Sequence, residues 1–124
     1  MANIPVVVLP KNGAILSNDT QSLAVQGVAQ DDFFVNDGNT IILIFNTTGG
    51  ALAQPVTIEG VSDAYGRDGA TVVNPADGDF AMAGPFRPAA WNVKSGVDIG
   101  KVEIDAGAAP ASGLLYLPLR ITTG

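Results

Sequence analysis

The chain contains neither cysteine nor histidine. The first absence excludes a disulfide framework, thiolate-held metals and thiol nucleophiles. The second removes every histidine-based triad and general base. Charge is scarce too: charged residues make up 15% of the sequence, well under the usual quarter. Positive charge is the scarcest. Lys11, Arg67, Arg87, Lys94, Lys101 and Arg120 stand singly against twelve acidic residues, for a net charge of −6. With no basic cluster to overcome that sign, no nucleic-acid partner is expected. Long apolar runs are also missing. Val6-Val-Val-Leu9 is too short for a signal-peptide core, and no window approaches the roughly 18 apolar residues of a membrane span. The expectation is a product made in the cytoplasm, with no membrane partner.

What is present is an apolar, heavily punctuated sequence. Hydrophobic residues make up 47% of the 124, with 15 glycines and 8 prolines. That is too apolar for disorder and too interrupted for long helices. The length suits one domain with one core, and a low-charge surface on a domain this size points to contact with another protein.

By pattern the chain divides into an N-terminal arm with short edge strands over 1–30 and a β-sandwich over 31–124. The arm opens Ile4-Pro-Val-Val-Val-Leu-Pro10, four apolar residues between prolines, which suits an edge strand or an extended arm. Lys11-Asn-Gly13 reads as a turn, Ser17-Asn-Asp-Thr20 as a polar loop, and 22–28 as a short strand. In the body, Asn36-Asp-Gly-Asn39 between apolar runs predicts a hairpin. The unbroken run Ile41-Ile-Leu-Ile-Phe45 predicts a strand buried on both faces. Val56-Thr-Ile-Glu59 and Lys101-Val-Glu-Ile-Asp105 alternate, with apolar residues inward. A loop is expected over 62–67, a short strand over 71–74, a turn at Pro75-Ala-Asp-Gly78 and one helical turn or bend over 88–92. In the last strand, 114–122, Pro118 implies a bulge or an unpaired edge.

The fold class is therefore all-β: a single antiparallel sandwich of about seven to nine strands, jelly-roll or Ig-like, with an extended N-terminal arm. Ile42, Ile44, Val56, Ile58, Phe80, Met82, Val102, Ile104, Leu117 and Leu119 are expected to line the space between the sheets.

Carboxylates are the remaining groups that could carry chemistry. Asp31 with Asp32, Asp77 with Asp79, and Asp63 with Asp68 are the close sets. A glycosidase would need two of them facing a sugar-sized cleft, and turn-borne aspartates give no sign of one. Asp77-Gly-Asp79 and Asn36-Asp-Gly-Asn39 place oxygen ligands beside glycine, as calcium loops do, yet neither completes a calcium-loop pattern. Trp91 and Tyr65 could stack on a sugar, although a lone tryptophan in a sandwich is more often core or interface. The reading is a non-enzyme without cofactor or metal.

The order of short motifs supplies a resemblance. Phe34-Val-Asn-Asp-Gly-Asn-Thr-Ile-Ile-Leu-Ile-Phe-Asn46 is followed by Pro55-Val-Thr-Ile58, Gly84-Pro-Phe86, Trp91-Asn92, Val102-Glu-Ile104 and Leu117-Pro-Leu-Arg-Ile121. This order resembles a group of small tailed-bacteriophage structural proteins, described as head decoration or capsid-associated proteins. It covers about three-quarters of the chain, from Phe33 to Ile121. Asn39 stands where that pattern usually has lysine, and Ala83 where it often has isoleucine.

The resemblance implies a virion structural protein on the outer surface of the capsid, made in the host cytoplasm. It would bridge neighbouring major capsid protein subunits as a homo-oligomer, a trimer being the natural form at local threefold positions. The expected partner contacts are Pro5, Val6, Val7, Val8 and Leu9 of the arm, with Arg87 and Trp91. A tail or head–tail connector component is the alternative, and a carbohydrate- or host-surface-binding sandwich a second one.

Overall fold

The structure, a computed structural model, describes residues 3–9, 23–61, 70–94 and 96–121. Along them run β1 (Val7–Leu9), β2 (Val25–Gln26), β3 (Asp31–Val35), β4 (Thr40–Asn46), β5 (Val56–Glu59), β6 (Ala70–Val73) and β7 (Phe80–Ala83). A single helical turn, α1 (Pro88–Trp91), then precedes β8 (Lys101–Asp105) and β9 (Leu114–Ile121). The turn expected at Lys11, the polar loop expected at Ser17, the loop over 62–67, and Asp63, Tyr65 and Asp68 lie outside the described residues.

Strands β2 to β9 form two antiparallel sheets, in the orders β2-β9-β4-β7 and β3-β8-β5-β6. That order is the one in which eight strands wind into a jelly roll, so the topology decides against the Ig-like alternative. β1 joins in parallel on the edge of β9 that β2 also occupies. Just before it, Asn3 bridges to Phe33 on β3 of the other sheet, and the Ile4 amide donates to the Phe33 carbonyl at 2.7 Å. Ile4 is buried in the core between the sheets. Residues 3–9 thus cross from one sheet to the other, as part of the sandwich they close.

The inter-sheet core contains Phe34, Ile42, Ile44, Val56, Ile58, Phe86, Val102, Ile104, Leu114 and Tyr116. Strict alternation on β5 and β8 places their valines and isoleucines there, each side chain contributing roughly 1.5–3 kcal/mol through burial. Two strands differ from expectation. On β9 the core side is Leu114 and Tyr116; Leu117 and Leu119 are fully buried, but in a second cluster with Leu43 and Phe45 on the outer face of their sheet. On β7, Phe80 and Met82 point outward and are 56% and 61% exposed, while Ala83 packs on the core. Pairing explains this: Phe80 and Met82 sit opposite Phe45 and Leu43, the outward residues of β4. The small alanines between them face inward.

Gly84 then resets the side of the chain, and Phe86 returns to the core. Gly84 has φ +107, and a Cβ there would lie 3.1 Å from the backbone of Thr40 and Ile41. Only glycine fits both constraints.

The turn at Asn36-Asp-Gly-Asn39 has the expected chemistry in a different role. Gly38 has φ +97, its amide donates to Asn36 Oδ1 at 3.1 Å, and the Asn39 amide donates to Asp37 Oδ1 at 2.9 Å. Yet β3 and β4 lie in different sheets, so the turn is a corner between sheets and not a hairpin. Pro118 causes no bulge, since the β4–β9 register runs unbroken past it. On the other edge of β9 it falls between the residues paired with β2 and those paired with β1, where no described strand needs its missing N–H.

Candidate interaction surface

Three segments, around Asn36, Phe86 and Asn92, meet at one end of the sandwich. Buried Asn36, at the exit of β3, donates from Nδ2 to the Phe86 carbonyl at 2.9 Å and to Asn92 Oδ1 at 2.6 Å. Asn92 answers by donating to the Asn36 carbonyl at 3.0 Å. A buried amide left unpaired costs about 1–3 kcal/mol, so these reciprocal bonds hold three distant segments in one arrangement. Aromatic rings back them: Phe86 lies 5.9 Å from Phe34 and 5.0 Å, edge-on, from Trp91.

Several of the expected contact residues gather here. Arg87 is exposed at the start of α1, and Trp91 is half-buried with its ring packed on the core. Val8 of β1 is 44% exposed and sits in register with Arg120, whose guanidinium lies 3.5 Å from Asp37 at the same corner. The Asn39 amide, and then Arg120, hold the Asp37 carboxyl below its ordinary pKa. Pro5 is exposed where the arm changes sheets. Val6 and Val7 are half-buried, one against each apolar cluster, and Leu9 pairs through its backbone with Ile121. The arm therefore spends one edge on its own domain.

The two outer faces differ sharply. Outward positions on β2, β4, β7 and β9 are Gln26, Ile41, Leu43, Phe45, Phe80, Met82, Leu115, Leu117 and Leu119, without an ionisable group. On the other sheet, Asp31, Asp105, Glu59 and Glu103 face outward together, with Asp31 opposite Asp105 and Glu59 opposite Glu103. Carboxylate oxygens of Asp31, Glu103 and Asp105 lie within 4.8 Å of one another. Burial, then Asp31 and the neighbouring carboxylates, push the Glu103 pKa up; burial, then Asp105 and Asp31, do the same for Glu59. Lys101 on this face is 3.5 Å from Asp98.

The carboxylate sets singled out from sequence do other work. Asp32 turns inward, fully buried, and accepts the amides of Val28 and Ala29 at 2.9 and 3.2 Å, fixing the turn before β3. Asp77 and Asp79 are exposed beside a tight turn. Sequence reading missed the acidic face. Its signal was the acid at each outward position of Glu59, Glu103 and Asp105, but only strand pairing brings them together.

At the end opposite Asn36, Leu52, Gln54, Ala106, Pro110 and Leu114 line an apolar pocket of about 70 Å³. Ligand sites of several hundred Å³ are far larger, so it is a dent for a small side chain at most. No protein-family model, curated protein or solved structure matches the chain.

Proposed function

We propose that this protein is a virion structural protein that decorates the capsid of a tailed bacteriophage, bridging neighbouring major capsid protein subunits. The observation that carries the reading is the junction at Asn36. Motifs spread over more than fifty residues, and named by their resemblance to phage head proteins, are tied there by side-chain hydrogen bonds. Such a junction is rigid, and Val8, Arg87 and the exposed edge of Trp91 stand around it as the contact with the shell. No catalysis is required of such a protein; it works through many copies of a modest interface on a repeating lattice. Association at local threefold positions belongs to the same proposal.

The test is binding to purified capsids that lack the protein. Cosedimentation should saturate at a copy number on the scale of the capsid lattice, and Arg87→Glu and Val8→Asp should each weaken binding while leaving the melting temperature within a few degrees of the parent. Binding confined to one ring of sites would favour a tail or connector component instead. No capsid binding at all would end the proposal.

A further inference from the structure

Among the described residues, all four lysines and arginines stand at one end of the sandwich, each beside a neighbour of Asn36. Asn36 Nδ2 donates to the carbonyl of Phe86, next to Arg87, and to Asn92, two residues before Lys94. Its amide donates at 3.2 Å to the carbonyl of Gly100, next to Lys101. Asp37, the following residue, pairs with Arg120. Arg87 and Lys94 are exposed. The carboxylates described at this end are Asp37 and Asp98, and each already faces a cation, Arg120 or Lys101. β4 then carries the chain roughly 20 Å to the other end. There Asp31, Asp32, Asp77, Asp79 and Asp105 gather, with no described lysine or arginine among them. Glu59 and Glu103 lie between the two ends. The net charge of −6 is therefore the sum of a cationic end and a strongly acidic one.

We propose that the Asn36 end docks onto a carboxylate-rich patch of a partner protein, with the acidic end turned away. Charge complementarity selects that partner. An acidic surface repels the chain as a whole and favours the one approach that leads with Arg87 and Lys94, so orientation is set before contact. The planar guanidinium of Arg87 suits paired bonds to a carboxylate. Val35, Val97 and Ile99, each more than half exposed, border the cations and supply the apolar part of a protein interface. A nucleic acid needs continuous phosphate contacts, which Asp37 and Asp98 interrupt. In the capsid reading, on which the partner's identity rests, the patch belongs to the major capsid protein.

The first test needs no capsid. At pH 7 and low ionic strength the parent should be retained on a carboxymethyl surface despite its net negative charge. The Arg87→Gln, Lys94→Gln double variant should lose that retention with its melting temperature kept, and Asp77→Ser, Asp79→Ser should keep it. Absent retention, or retention that ignores the loss of Arg87 and Lys94, overturns the inference. Equal or tighter binding to single-stranded RNA or to phosphatidylglycerol vesicles overturns the choice of a protein partner. The second test uses the parent with purified capsids that lack it. Amidating capsid carboxylates with glycinamide should weaken binding at least about tenfold, whereas acetylating capsid lysines should not. Binding that ignores amidation overturns the inference and keeps the decoration reading. Retention on carboxylate without any capsid binding keeps the inference and ends that reading.

Discussion

The outer faces of the two sheets are built on the same strand geometry and reach opposite solutions. Behind both lies one inter-sheet core of isoleucine, valine and aromatic side chains. In front of the β3-β8-β5-β6 sheet stand Asp31, Glu59, Glu103 and Asp105; in front of the other stand leucines and phenylalanines, two of the leucines fully buried. One face carries half-buried carboxylates that repel one another, and the other is a second core that ends in an exposed apolar edge. A sandwich needs only one buried face per sheet. The extra apolar face is covered within the chain itself at Leu43, Phe45, Leu117 and Leu119, and Phe80 and Met82 at its edge stand exposed.

The comparison breaks most readily at Leu117. If the outer apolar cluster is a true core, Leu117→Ala should destabilise the protein as much as Ile104→Ala between the sheets, about 2–5 kcal/mol each by denaturant unfolding. Thr57→Ala, outward and half-buried on the acidic sheet, should change stability by less than about 0.5 kcal/mol. A Leu117→Ala cost close to that of Thr57→Ala would show that the second cluster adds no stability.

These same faces mark what could be read from sequence. β5 and β8 were legible because polar and apolar residues alternate, leaving one choice of inward side. The run Ile41 to Phe45 was legible because apolar residues on both sides can only mean two buried faces. That logic fails for β9, where Leu115, Leu117 and Leu119 alternate with Leu114 and Tyr116: both sets are apolar, so the pattern has no phase. In β7 the bulk of Phe80 and Met82 points the wrong way, because an edge strand can show its large side chains and bury alanine. Turn chemistry at Asp37-Gly38 was correct, but it says nothing about which sheet receives the chain. The candidate site was half legible. Its motifs are local, yet the bond from Asn36 to Asn92 crosses 56 positions, and no local pattern encodes it.

A smaller effect sharpens the acidic side. Glu103 faces Glu59 directly, with Asp31 and Asp105 beside it, and like charges opposite one another on a sheet oppose folding. Glu103→Gln should therefore stabilise the protein at neutral pH by about 0.2–1 kcal/mol, and added salt should shrink the gain. A neutral or destabilising result would mean that the carboxylates are compensated by groups not seen on this face.

The smallest expected effect is the pH dependence of that gain, and its sign is fixed by the direction of the shifts. Burial and neighbouring carboxylates raise the pKa of Glu103 and of Glu59 above the usual value of 4.5. The folded chain therefore holds these protons to higher pH than the unfolded chain does. Between the ordinary value and the raised ones, stability falls as pH rises; above the raised values the penalty is complete, and below the ordinary value it is absent. Asp37 works in the opposite direction. Its lowered pKa gives stability that is present above the ordinary carboxylate value and lost as pH falls through the folded value. Comparing the parent with the Glu59→Gln, Glu103→Gln double variant removes the Asp37 contribution, which both share. The melting-temperature advantage of the variant should be greatest at neutral pH and close towards zero as pH falls below about 4.5. An advantage that grows on acidification would reverse the sign of the carboxylate interaction and, with it, the contrast between the two faces.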